Sequence, residues 1–443
     1  MPPARQWQCV VCGYIHEGPA PPATCPSCGA PYTAFLLRGA DVSEKFRDVR
    51  LVEPRPGGFR YVIVGNSSAG RAAAQAIRAV HPAGAVTIVS EESVPFYYRP
   101  MLPDFIAGMP AQRLFAAKDG ASEGVELLAG VRAERVDPEK RAIVFADGRT
   151  MAYDALLLAT GASAVTVPWA GAEGEGVFYL RSYADAQRIA QRAAGAKRAV
   201  VVGGGLLGLE LVRAFSGLGL NIVLLVREPH VLQPTVDEPT AEVVEAALAA
   251  QGVELALEEE VVSFAVRDGQ VRAVHTSRGR SVPCDIVGVA VGARPRTELA
   301  ESAGARAGAG VIVNERFETS VPAIFAAGDV AQAYDRVWGE PRVNTSWRNA
   351  QEQGELAGLA MAGAEVSFPG AVGVTFQLVA GLPFCTMGLA NPRDPENYEV
   401  ELEASVKKRV VRKLVRRKGK LVGACLLGDM SPAPELERAL RGD

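Results

Sequence analysis

Two stretches of the chain carry one pattern, and together they constrain what it can fold into. Tyr61 to Ile77, YVIVGNSSAGRAAAQAI, and Ala199 to Glu210, AVVVGGGLLGLE, each run from an apolar, β-branched segment through a glycine turn into a helical segment. A strand this apolar is covered on both faces, as in a parallel sheet flanked by helices. The free N–H groups and dipole at the start of the following helix favour a diphosphate. In the second stretch Gly203, Gly205 and Gly208 fill G-x-G-x-x-G; in the first, Gly65 and Gly70 fill the outer positions, Ser67 stands in the middle, and Asn66, Ser68 and Ala69 complete the turn. One such match is weak evidence. Two of them, each led by a strand and followed by a helix, predict an α/β protein with two Rossmann-like dinucleotide-binding domains.

Beyond each helix a second strand should end in an acid that binds the adenine ribose. Val86 to Val89 leads to Ser90-Glu91-Glu92, and Glu91 suits that role. Asn221 to Val226 leads instead to Arg227-Glu228, with Val226 where the acid is expected. Loss of the carboxylate removes repulsion of a 2′-phosphate, and the Arg227 guanidinium can clamp phosphate bidentately, which favours NADPH over NADH. A register two residues away makes Glu228 the ribose ligand, so both coenzymes stay open. Further segments repeat the strand-then-turn logic: YDALLLATGA with Thr160 and Gly161, VGARPRT with Gly292, and TSVPAIFAAGDV with Gly328 and Asp329, the last placed to meet a phosphate or a ribityl hydroxyl. Pieces so far apart in the chain can form one site at the carboxyl edge of a sheet.

Of seven cysteines, Cys9, Cys12, Cys25 and Cys28 form two C-x-x-C-G pairs, a spacing that points to metal ligation rather than disulfides. Thiolate softness and tetrahedral demand leave Zn or Fe, and spacing alone does not separate them. His16 reads as a surface residue or one near the site, because four thiolates already complete the shell. Cys284, Cys385 and Cys425 read as inert core residues. Residues 39–58 mix charges with Pro54, Pro56, Gly57 and Gly58, as in a tether; about 20 flexible residues span ~25 Å and would let the metal swing outward.

The 443 residues leave room for three or four domains. A net charge of −3 argues against nucleic-acid or membrane-surface binding, and no apolar run approaches a membrane span, so a cytoplasmic protein is expected. From about Val366 short strands dominate, with a hairpin expected at Lys418-Gly419. Nine of the fourteen residues from Lys407 to Lys420 are basic and Asp394 to Glu403 is acidic. A solvated hairpin neutralised by its neighbour accounts for this; the sharper reading is a docking face for an acidic redox partner.

Two resemblances follow from these residues. CxxCGYIHEG, then CPxCGAP and Phe35, resembles the short rubredoxin module of rubrerythrins, which implies Fe held by Cys9, Cys12, Cys25 and Cys28. Phe59 to Asp429 resembles the FAD- and NAD(P)H-dependent rubredoxin and ferredoxin reductases and the flavin part of assimilatory nitrite reductase. The implied fold is glutathione-reductase-like, with an FAD domain at 59–168 and 284–363, an NAD(P)H domain at 169–283 and a small α+β C-terminal domain at 364–443. It would be preceded by the metal module at 1–38 and a linker at 39–58. The same resemblance implies that Arg99 lies near the isoalloxazine rather than in a surface salt bridge and that Glu210 lies near the nicotinamide. It also implies that Trp347 covers the flavin unless it is packing between domains, and that the C-terminal domain pairs two copies into a homodimer. PFYYRPML lacks the cysteines of disulfide reductases, so electrons should leave FAD without a protein thiol. The implied activity passes electrons from NAD(P)H through FAD to the Fe(Cys)4 centre and on to a rubrerythrin, a superoxide reductase or a flavodiiron protein. Alternatives are a reductase of a small oxidant with a structural zinc ribbon, or an electron-input subunit of a nitrite-reductase-type complex.

Overall fold

The computed structural model describes residues 6–9, 14–18, 20–22, 25, 35–38, 46, 48–115 and 124–442. Two five-stranded parallel sheets form its body. The first has the order Ile324–Ala326, Ala155–Leu158, Arg60–Val64, Ala85–Ser90, Val125–Ala129. The second has the order Val177–Tyr179, Ile286–Val289, Arg198–Val202, Asn221–Leu225, Glu254–Ala256. Both central strands are buried on both faces, with Tyr61, Ile63, Val200 and Val201 fully hidden, as their unbroken apolar runs predict. A boundary at residue 284 puts Ile286–Val289 on the flavin side. The structure corrects this: the segment pairs in register with Arg198–Val202, because an all-apolar, fully buried strand completes the second sheet.

The helix Ser68–Val80 leaves the first turn and packs along Trp347–Met361. The two backbones approach so closely that a Cβ at Gly354 would overlap the Ala69 carbonyl. The Ser68 hydroxyl donates to the Trp347 carbonyl at 2.9 Å, fixing the start of one helix on the start of the other.

The C-terminal sheet is antiparallel, in the order Val374–Val379, Leu382–Gly388, Lys420–Leu427, Val410–Arg417, Glu399–Ser405, and the helix Ala433–Arg441 follows it. Its hairpin turns at Lys418 and Gly419, with φ of 51° and 74°, the left-handed pair that matches strand twist. Part of the basic run is engaged within the fold. Lys413 is buried and meets Asp237 at 2.9 Å, Arg416 lies 3.6 Å from Glu401, and Arg417 stacks over Tyr398. The Lys413–Asp237 pair ties this sheet to the helix Glu238–Ala250, which Asp237 also caps. Burial opposes the Asp237 carboxylate, but Thr240 and Lys413 outweigh it and hold its pKa below the ordinary 3.8. Lys413→Met is therefore expected to destabilise the protein by about 2 kcal/mol at neutral pH, below the usual cost of breaking a buried pair because Asp237 keeps Thr240 and some solvent. A depressed pKa adds stability above the unfolded value and loses it as pH falls through the folded one. Urea melts of wild type and variant should therefore converge below about pH 4.

The N-terminal strands Ile15–Glu17, Gln6–Cys9 and Phe35–Arg38 form a small antiparallel sheet. The expected free tether is corrected for its described residues. The N–H groups of Val52 and Glu53 donate to Gly363 at 2.9 and 3.0 Å, Leu51 bridges Ala364, and Val49, Leu51 and buried Phe46 pack on the core around the first sheet. These apolar residues, interspersed among charges, gain more from burial than from solvent. Among the described residues no helix is long and apolar enough to cross a membrane.

Candidate active site

Each fingerprint builds the same turn. Gly65 has φ +124°, and a Cβ there would overlap the Ala159 carbonyl; a Cβ at Gly70 would overlap the Gly65 carbonyl. Gly203 and Gly208 stand in the same relation to Ala290 and Gly203. Ser67, at the deviant middle position, has extended backbone (φ −128°, ψ −160°) that any residue adopts, and Gly205 opposite it faces open space. The outer glycines are therefore steric necessities, whereas the middle position requires only close approach by a ligand.

The backbone also fixes the register of the ribose position. Gly65 N–H donates to Val89 at 2.8 Å and Gly203 N–H donates to Leu225 at 2.9 Å. Counting on from those carbonyls, Arg227 holds the place of Glu91, Glu228 that of Glu92, and Val226 is buried. Arg227 is exposed, pairing with Glu228 at 2.8 Å and lying 3.9 Å from Glu260.

A cleft of about 830 Å³ opens where the first sheet's carboxyl edge meets the second domain and the C-terminal sheet. Of the residues singled out in the sequence, Gly65, Asn66, Ser67, Ser68, Ala69, Glu91, Arg99, Thr160, Gly161, Glu210, Gly292, Gly328, Asp329 and Trp347 line it. Gly70, Gly203, Gly205, Gly208 and Arg227 do not; Gly70 supports the turn from behind, and the second fingerprint lies outside this cleft.

Its charges are arranged in opposing pairs. Arg99 donates to the Arg181 carbonyl and to Glu92 at 2.8 Å, and stacks 5.0 Å over Tyr97. Burial works against the Arg99 cation, but Tyr97 and Glu92 outweigh it and its pKa is raised. Arg181 pairs with Asp329 at 3.1 Å; its pKa is lowered by burial first, then by Arg99 and Arg296. Arg296 reaches Glu91 at 2.7 Å. Arg181 and Arg296 line the same cleft as the helix start at Ser68, and their guanidinium groups suit a diphosphate. Glu210 is gripped by Arg213 at 2.7 and 3.0 Å, and Arg213 reaches Asp104 at 2.5 Å; burial still leaves the Glu210 pKa raised. Trp347 both lines the cleft and packs against Tyr98 and Phe96, with ring centroids 4.6 and 5.9 Å away.

Asn66 Oδ1, Arg99 Nε and Gln377 Nε2, all in this cleft, are buried without a hydrogen-bond partner among the described residues. One acceptor and two donors facing the cleft fit a ligand that carries hydroxyls and ring carbonyls, as a flavin dinucleotide does. Sequence reasoning missed Arg181, Gln377 and Gln353, whose side chain accepts from Gly328 N–H at 2.8 Å. No local pattern marks them.

Cys9 and Cys25 are buried in one cluster with Phe35, against which Trp7, Tyr14 and Leu378 pack. Cys12 and Cys28 lie outside the described residues, and among those described no group of three or more His, Cys, Asp or Glu is placed to hold a metal. Two buried thiols together suit a soft-metal site. The Tyr98 hydroxyl, in the cleft wall, is pushed up by burial first and then by Cys9. Burial pushes the Cys284 and Cys425 thiols up to about 12 and Cys385 well above its usual value. Among the described residues no cysteine lines the cleft.

The pyridine nucleotide-disulphide oxidoreductase model matches residues 59–354, and the rubrerythrin, rubredoxin-like domain model matches residues 7–35. Rubredoxin-NAD(+) reductase of Pseudomonas putida is 30% identical over 383 residues, spanning 83% of this chain and 99% of that protein. The biphenyl dioxygenase system ferredoxin--NAD(+) reductase component of Paraburkholderia xenovorans is 35% identical, over 69% of this chain and 76% of that protein. The crystal structure of the covalent putidaredoxin reductase-putidaredoxin complex superposes with a TM-score of 0.80 at 25% identity, covering 87% of this chain and 93% of that one.

Proposed function

The chain belongs to the pyridine nucleotide-disulphide oxidoreductase family, as an NAD(P)H-dependent FAD reductase with a rubredoxin-like N-terminal domain, and on that premise we propose that it delivers electrons to an iron held by Cys9, Cys12, Cys25 and Cys28. The observation that carries this reading is the separation of thiols from the cleft: no described cysteine lines it, while Cys9 and Cys25 share a buried cluster at its edge. FAD, when bound, accepts two electrons as hydride and releases them singly, the conversion that a one-electron iron centre needs.

The protein's own residues hold and shape this exchange. The turn Gly65 to Gly70 presents N–H groups to the diphosphate, and Arg181 and Arg296 add positive charge. Glu91 and Asp329 supply carboxylates to ribose and ribityl hydroxyls. Arg99 and Gln377 offer donors to the ring system, where fixed positive charge stabilises a reduced, anionic ring. Trp347 walls the ring pocket, and Glu210, held by Arg213, borders the nicotinamide side. Gly203, Gly205 and Gly208 hold the coenzyme diphosphate. Arg227 takes a 2′-phosphate, which makes NADPH the preferred reductant. The acceptors beyond the iron are one-electron redox proteins such as a rubrerythrin, a superoxide reductase or a flavodiiron protein.

Anaerobic titration with NADPH and, separately, NADH, together with metal analysis, tests the reading. The expected result is one iron per chain whose ferric colour bleaches together with the flavin. Zinc in protein made with ample iron, or flavin reduction that leaves the iron ferric, would overturn it.

A further inference from the structure

We propose that the N-terminal module is the flavin's resident acceptor, seated on the rim of the cleft, so that external redox proteins draw electrons from the module and not from the cleft. The inference rests on the reading above that the module carries a redox-active iron.

Leu378 carries the contact. It belongs to the strand Val374–Val379, whose residues Val374 to Gln377 line the cleft, and it packs on the Cys9–Cys25–Phe35 cluster. With Leu378 against the thiol cluster, the module itself occupies the rim at this strand. The segment that follows the module is fastened at Val52 and Glu53 to Gly363. Only a short connection therefore separates the module from the body, and its effective concentration at the rim is of millimolar order, above that of a free acceptor. Electrons balance as follows: one NAD(P)H gives NAD(P)+, one proton and two electrons. Each electron reduces Fe(III) to Fe(II) in turn, and each Fe(II) is reoxidised by an external one-electron acceptor before the next transfer.

Leu378→Glu places a charge in the contact and tests the proposal in the full, metal- and flavin-loaded chain. Three quantities are read: anaerobic reduction of the module's iron, reduction of an added free iron rubredoxin, and hydrogen exchange of residues 374–379. The expected result is internal transfer slowed about tenfold or more, as a seated module becomes a merely tethered one. Reduction of the free rubredoxin should rise and exchange at 374–379 should increase, while flavin content and flavin reduction by NAD(P)H stay as in wild type. A variant in which internal and external rates fall together, or in which all three quantities match wild type, would overturn the proposal. Should the charged variant not fold, Leu378→Ala gives the same directions with smaller changes. In wild type the rate of internal iron reduction should not change over a roughly hundredfold range of protein concentration; a proportional rise means transfer between molecules and rejects the resident acceptor. Wild-type iron that stays ferric beside reduced flavin rejects the reading of function instead, and the difference in exchange at 374–379 between wild type and Leu378→Glu still reports the seat.

Discussion

Alanine at Gly208 is expected to leave FAD bound while slowing its reduction by NAD(P)H roughly 100-fold, and alanine at Gly70 to yield protein largely free of flavin. The two substitutions are sterically alike. At each position a Cβ would overlap the carbonyl of the first glycine of its turn, Gly203 or Gly65. That carbonyl is backbone, so relief comes only by moving the helix away from the strand, which misaims the N–H groups at the diphosphate. Forced overpacking of this kind costs about 1–3 kcal/mol, and the upper end corresponds to roughly 100-fold in affinity. The difference between the outcomes lies only in which sheet the turn serves. Flavin absorbance of the purified variants and kcat/KM for flavin reduction separate them. Loss of flavin in the Gly208 variant would mean that the two turns do not hold separate ligands.

Arg227→Asp is the second large change. Equal backbone hydrogen bonds from Gly65 to Val89 and from Gly203 to Leu225 put Arg227 where the flavin domain has Glu91. On the proposed preference for NADPH, a guanidinium there would bond the 2′-phosphate with charge-assisted hydrogen bonds worth about 1.5–3 kcal/mol, and an aspartate would replace that attraction with repulsion. The ratio of kcat/KM for NADPH to that for NADH should fall about 100-fold or more, chiefly through KM for NADPH, with affinity for NADH improved by the new ribose ligand. An unchanged ratio would remove Arg227 from coenzyme recognition and return the role to Glu228.

Both fingerprints are legible in the sequence because what they need is local. A buried strand, a turn that admits no Cβ and a helix start all fall within one short run of residues. Even the deviant Ser67 makes sense once its extended backbone is seen, since its place demands approach by a ligand rather than a left-handed turn. The arginine set is less legible. Arg99 sits in a turn whose pattern marks it, and Arg296 lies in VGARPRT, where the pattern marks Gly292; Arg181 enters the cleft ahead of the helix Tyr183–Ala193, and Gln377 from the C-terminal sheet. Their roles come from three-dimensional placement alone. The segment before Phe59 misleads for a different reason. Its prolines, glycines and charges read as a free tether, yet Val49 and Leu51, spaced too irregularly to signal an element, find the flavin-domain core. Ile286–Val289 shows the same limit at a domain edge, because a buried apolar strand does not announce which of two like sheets it joins. For the metal module, Cys12 and Cys28 lie outside the described residues, while Cys9 and Cys25 do meet in one buried cluster.

The pairing of the helices Ser68–Val80 and Trp347–Met361 also sets an order of events in the making of this protein. The hydrogen bond that ties their first turns joins residues 279 apart in the chain, and the whole second sheet lies between them. On a ribosome adding about 5–20 residues per second, the first helix waits roughly 15–55 s for its partner. The nicotinamide half, complete in the intervening chain, can fold in that interval. The flavin half cannot close until the helix ending at Met361 has emerged, so flavin capture belongs to the last stage of synthesis. A nascent chain stopped short of that helix would carry a finished coenzyme domain and half of a flavin site.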